Sequence, residues 1–128
     1  MSFDYQVLIK TSRSLSQIAA ALWEFTEVRF ARSMQQEEEV YSAVLFDRWM
    51  ELYDTQGFVD DKDIAITQYQ YGLNIYEAGF SRERPEHELW HEQIAKMIAC
   101  FLARVYAEEC VVMRNIERVV ERFPSPVR

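Results

Sequence analysis

Residues 68–75 read Gln68-Tyr69-Gln70-Tyr71-Gly72-Leu73-Asn74-Ile75. Tyr69, Tyr71, Leu73 and Ile75 share one parity, and Gln68, Gln70 and Asn74 share the other. Side chains alternate in this way on a strand, where successive residues point to opposite faces. The stretch therefore predicts a sheet with one buried face and one polar face.

Other segments are read against that strand. Phe3, Tyr5, Val7 and Ile9 alternate with Asp4, Gln6 and Leu8, a second period of two. Ser14-Leu15-Ser16-Gln17 offers a capping box, with Ser14 as N-cap and Gln17 three residues on. Leu15, Ile18, Ala19, Leu22 and Phe25 then repeat at helical spacing, and the helix is expected to fade near Met34. Residues 37–54 fit a helix through Tyr41, Leu45, Trp49 and Leu52, and strands through Val44, Phe46, Met50 and Leu52. Periodicity alone does not separate these. A turn at 54–57, an acidic loop at 59–63 and a loop bounded by Gly79 and Pro85 follow.

A long helix is expected from about Glu86 to Glu108, with Trp90, Ile94, Met97, Phe101 and Val105 as its apolar stripe. Ala95, Ala99, Ala103 and Ala107 would line its flank and back, which leaves a homodimer open. Cys110 to Met113 reads as a short strand, and Asn115 as the cap of a final helical turn carrying Ile116, Val119 and Val120. The fold class expected is α+β: one domain over 1–128, with a mainly antiparallel sheet and helices on one face. The alternative is a four-helix bundle.

Composition narrows function. The chain has 128 residues, 49% of them hydrophobic, enough for a real core, and a net charge of −7. Phosphate binding needs clustered Lys and Arg, so nucleic acid is not expected as a direct ligand; a basic partner is. The first residues show no basic region ahead of a signal-type apolar segment, and no apolar run approaches the roughly 20 residues that span a bilayer. The two cysteines make no disulfide framework, and Cys100 reads as a buried free thiol among Ile98, Ala99, Phe101 and Leu102. A cytoplasmic protein without membrane contact is the expectation.

His87-Glu88-Leu89-Trp90-His91 matches the zinc-peptidase pattern H-E-x-x-H. On a helix, two imidazoles at i and i+4 can share one zinc ion, with the glutamate as general base on its bound water. A third ligand is missing. The chain has 2 histidines, and Glu108 lies roughly 25 Å along the helix at 1.5 Å per residue. Trp90 would crowd the cleft, and Glu86 and Glu92 are what the first turns of a helix favour anyway. The motif is read as incidental, with His87 and His91 kept as the alternative metal ligands. No phosphate loop or nucleophile elbow is present, and no cofactor or catalytic residue is assigned.

Binding is the reading that remains. Glu37, Glu38 and Glu39 form one acidic cluster, and Asp60, Asp61 and Asp63 another. Tyrosines are dense around the 68–75 strand: Tyr69, Tyr71 and Tyr76. Aromatic area edged by carboxylates suits a basic protein, with the aromatics supplying contact and the charges supplying association rate. In layout, the opening strand FDYQVLI, the capped helix SLSQIAAAL, and the segments MELYDTQGFVDD, QYQYGLNIYEAG and ECVVMRNIERVVERF resemble the immunity proteins of contact-dependent growth inhibition and related polymorphic toxin systems. The resemblance spans most of the chain and rests on no signature motif. It implies a non-enzymatic inhibitor that binds a cognate basic toxin domain, often a nuclease, and masks its active site. A zinc peptidase and a helical anti-activator are the competing classes.

Overall fold

The computed structural model describes residues 4–45, 48–56, 58, 60, 65–77, 85–115 and 117–124, with backbone alone at 45, 77 and 85–89. The elements run β1 (Tyr5–Lys10), α1 (Leu15–Thr26), β2 (Ala31–Gln35), β3 (Glu38–Leu45), β4 (Arg48–Asp54), β5 (Tyr71–Glu77), α2 (Pro85–Val105), β6 (Glu109–Arg114) and β7 (Arg118–Phe123). A short 3-10 turn, Ile66–Gln68, precedes β5. The seven strands form one antiparallel sheet in the order β2-β3-β4-β5-β1-β6-β7. The fold is α+β, and the four-helix bundle is excluded.

β1 lies inside the sheet and is buried on both faces, which is why Leu8 is apolar as well as Val7 and Ile9. Tyr5, Val7 and Ile9 face the helices; Leu8 faces the other way. α1 starts as its capping box dictates: Gln17 N donates to Ser14 Oγ, and Ser14 N donates to Gln17 Oε1 at 2.8 Å. Leu15, Ile18, Ala19 and Leu22 bury against the sheet. Each of the leucines and the isoleucine contributes about 1.5–3 kcal/mol by leaving water.

The helix stops at Thr26, well short of Met34. Glu27 takes a left-handed conformation (φ 60°) and donates its N–H to Trp23 O. Residues 31–35 then turn back as β2. Of residues 37–54, Glu38–Leu45 and Arg48–Asp54 are strands, β3 and β4, paired antiparallel from Val40↔Tyr53 to Leu45↔Arg48. At the chain's other end, Asn115 does not cap a helix. It takes φ 53° in the turn between β6 and β7, and Val119 and Val120 lie on a strand.

α2 corrects the reading of its stripe. The face toward the sheet is His91, Ala95, Ile98, Ala99 and Leu102, all essentially unexposed. Trp90, Met97 and Val105 are 52–58% exposed. The alanines are small so that the helix can lie close on the sheet, and Ala95 and Ala99 are not available for self-association. Phe25 of α1 stacks on Phe101 of α2 at 4.5 Å, joining the two helices. Among the described residues, no helix is long and apolar enough to cross a membrane.

Candidate functional site

The helices cover one face of the sheet. The opposite face is divided. On its β1–β6–β7 side, Leu8, Val111, Met113 and Val119 are closed over by Ile66 and Tyr69. The Tyr69 hydroxyl donates to Glu109 and accepts from Arg122 Nη1 at 3.3 Å, pinning the segment down. Burial first, then the Glu109 bond, pushes that phenol up to about 12. Tyr69 thus leaves the strand alternation: it packs on this face, while Tyr71, Leu73 and Ile75 face the helices.

The β3–β5 side is covered only in part: Val40 and Gln6 are buried on it, whereas Val44 and Trp49 are exposed. Register places its side chains in cross-strand rows. Val44 pairs with Trp49, and Trp49 with Tyr76. Ser42 pairs with Glu51, Glu51 with Asn74, and Asn74 with Gln6. Val40 pairs with Tyr53, and Tyr53 with Gly72. The first row is wet and apolar: Val44 is 46% exposed and Trp49 36%. Phe58, 42% exposed, stacks on Tyr53 with ring centroids 5.7 Å apart.

Hydrogen bonds fix these rings. The Tyr76 hydroxyl donates to Glu51, and the Tyr53 hydroxyl to Asn74 Oδ1 at 3.1 Å. Burial, with the Glu51 charge behind it, pushes both phenols up to about 12. Gly72 makes room for Tyr53: a Cβ there would stand 2.6 Å from the tyrosine ring. The surface is an aromatic patch with the Glu51 carboxylate bonded to Tyr76 and the Asp4 charge close enough to act on the same phenol.

Of the acidic clusters, that of Glu37, Glu38 and Glu39 lies where β3 begins. Glu37 sits in a two-residue hairpin turn with Gln36, both at positive φ (67° and 51°), the geometry of a type I′ turn. Glu37 and Glu38 are exposed, whereas Glu39 is half-buried and paired with Arg32. Asp60 is exposed but committed: it accepts from Thr67 N at 2.9 Å and Thr67 Oγ1 at 2.8 Å. The backbone bond, then the hydroxyl bond, holds its carboxyl below the usual range. Asp61 and Asp63 lie outside the described residues.

The HELWH segment falls on the first turns of α2. His91 is fully buried on the sheet-facing side, and Trp90 points outward with its ring 5.4 Å from the Arg48 guanidinium carbon. The side chains of His87 and Glu88 lie outside the described residues. Among the described residues no three potential ligands gather. Of the cysteines, Cys110 is the buried one; burial pushes its thiol up to about 12. Cys100 is half-buried in an outer groove of about 380 Å³ with Phe25, Met97, Phe101, Arg104 and Val105.

Sequence reasoning marked Tyr76 and Asn74 but missed Trp49 and Val44, whose place on one face depends on the β3–β4 register, and Phe58, which lies beyond β4. The alternation of Val44-Phe46 and Trp49-Glu51-Tyr53 is the signal that could have found the first two. Comparison with known protein families, with curated proteins and with solved structures gave no match.

Proposed function

We propose that this protein is a non-enzymatic inhibitor that captures a basic protein on the open β3–β5 face. The observation that carries the reading is the row Val44–Trp49–Tyr76, apolar and solvent-facing, set beside Glu51. Interface hot spots have this composition, with Trp and Tyr dominant and a charge nearby to select the partner. The Tyr53 and Tyr76 rings are held by hydrogen bonds before any partner arrives, which lowers the ordering cost of binding. Glu37 in the β2–β3 turn and Glu38 at the start of β3 add negative field for association.

The resemblance to immunity proteins names the partner: a cognate basic toxin domain, with a nuclease first in line. The test is a titration with the C-terminal domain of the protein encoded immediately upstream. Tight one-to-one binding that abolishes its activity is expected, and Trp49→Ala should weaken binding by about 2 kcal/mol, roughly thirtyfold. No binding, or full affinity in Trp49→Ala, would refute the proposal.

A further inference from the structure

Tyrosine–glutamate hydrogen bonds recur in this fold, and away from the β3–β5 face a cation stands against each pair. Tyr69 donates to Glu109, and Arg122 Nη1 lies 3.6 Å from that carboxylate and 3.3 Å from the phenol oxygen. Tyr106 donates to Glu24 at 3.1 Å, and the Arg13 guanidinium carbon stands 5.0 Å from its ring. Tyr5 donates to Glu92 at 3.5 Å, and Lys96 Nζ lies 3.6 Å from the same glutamate. The tryptophans show a like preference. Arg29 stands over Trp23 at 5.6 Å, and Arg48 over Trp90 at 5.4 Å.

The β3–β5 face departs from both patterns at one place. Tyr76 donates to Glu51 Oε1, and among the described residues no arginine or lysine pairs with Glu51. The further charge acting on this phenol is a second carboxylate, Asp4. Trp49 lies opposite Tyr76 in register and is 36% exposed, with no cation over its ring among the described residues. Trp49 and Glu51 are two apart on β4, so they share a face, about 6.5 Å apart along the strand.

A guanidinium fits this place by its chemistry. It is flat and stacks on an indole, and its edge carries N–H groups that bond a carboxylate. Lying on Trp49, it would turn that edge to Glu51 Oε2, the oxygen that Tyr76 does not use. An ammonium is a compact, strongly hydrated point charge with no flat face to stack. We propose that Trp49, Glu51 and Tyr76 form a subsite for one arginine side chain of the captured protein. That arginine supplies from outside the cation that the fold itself supplies to its other tyrosine–glutamate pairs. The subsite rests on the reading of this face as the surface that takes a basic protein.

The test titrates the free protein with N-acetylarginine amide, and with N-acetyllysine amide for comparison. The readout is the set of indole N–H resonances in nuclear magnetic resonance spectra, with that of Trp49 assigned by its loss in Trp49→Phe. The Trp49 resonance is expected to shift and saturate with the arginine probe in the millimolar range, and to need roughly fivefold more of the lysine probe. Trp23 and Trp90, which already carry arginines, should stay in place. Glu51→Gln keeps an oxygen for Tyr76 and should weaken arginine binding about tenfold, with the Trp23 and Trp90 resonances unmoved as the sign of an intact fold. A Trp49 resonance that stays still up to about 100 mM arginine probe overturns the proposal. So does an equal response to both probes, or undiminished binding in Glu51→Gln. Because the upstream-encoded domain is absent, the two failures separate. Capture of that domain without arginine binding would sink the subsite alone, and arginine binding without capture would sink the capture reading and leave the subsite standing.

Discussion

Gly72→Ala tests the packing of the open face from beneath. A Cβ at 72 would lie 2.6 Å from Cζ and Oη of Tyr53 and 2.9 Å from Cε2. The ring must move, and moving it loosens the hydroxyl bond to Asn74 and the stack on Phe58. Overpacking of this kind costs about 1–3 kcal/mol. Removing a glycine from a strand returns about 0.5–1 kcal/mol. The net expectation is a loss of about 1–2 kcal/mol, read as a fall of about 0.5–1 M in the urea midpoint at constant slope. In a Tyr53→Ala background the obstruction is gone, and only the glycine term remains. There the same substitution should stabilise by about 0.5 kcal/mol. The double-mutant cycle thus reads a coupling of about 2 kcal/mol. Equal destabilisation in both backgrounds would refute the steric reasoning.

Other consequences are more local. Leu52→Ala, at a fully buried site between β3 and β5, should cost about 3 kcal/mol, measured by the same urea titration. The phenols of Tyr53, Tyr69 and Tyr76 are raised from 10.0 to about 12 in the folded state, so the protein holds their protons more tightly than the unfolded chain does. Their contribution is fully present below pH 10 and is lost as pH rises through about 12; tyrosinate absorbance should rise together with loss of the folded circular dichroism signal. A thiol reagent should label Cys100 in the native protein and Cys110 only on unfolding, as mass spectrometry of peptides would show. Protein purified without chelator should carry no stoichiometric zinc, because His91 faces the sheet; one zinc per chain, lost in His91→Ala, would contradict that.

What could be read in the sequence follows from where local chemistry decides structure. The Ser14–Gln17 box placed the start of α1 because capping is satisfied within four residues. The alternation around Leu73 placed β5 because its two faces meet different surroundings. The end of α1 and the β2–β3 turn escaped notice because Glu27, Gln36 and Glu37 take positive φ where glycine or asparagine is the usual signal. Asn115 gave such a signal and was read as a helix cap instead of a hairpin turn. The stripe of α2 misled for another reason. Its buried face is built from alanines and a histidine, while Trp90, Met97 and Val105 stay outside. Apolar size predicts burial only where the neighbouring layer leaves space, and a helix seated close on a sheet takes small residues. The acidic clusters stand out in the sequence, but the aromatic patch depends on strand register, which arises between segments far apart in sequence.

Hydroxyl-radical footprinting of the complex with the upstream-encoded domain tests the central claim most directly. Trp49 and Phe58 on the open face, and Trp23 and Met97 on the helical side, are all exposed enough to be oxidised in the free protein. The account requires that the partner protect Trp49 and Phe58 and leave Trp23 and Met97 as reactive as before. Protection of Trp23 and Met97, with Trp49 unchanged, would place the partner on the helices and contradict it.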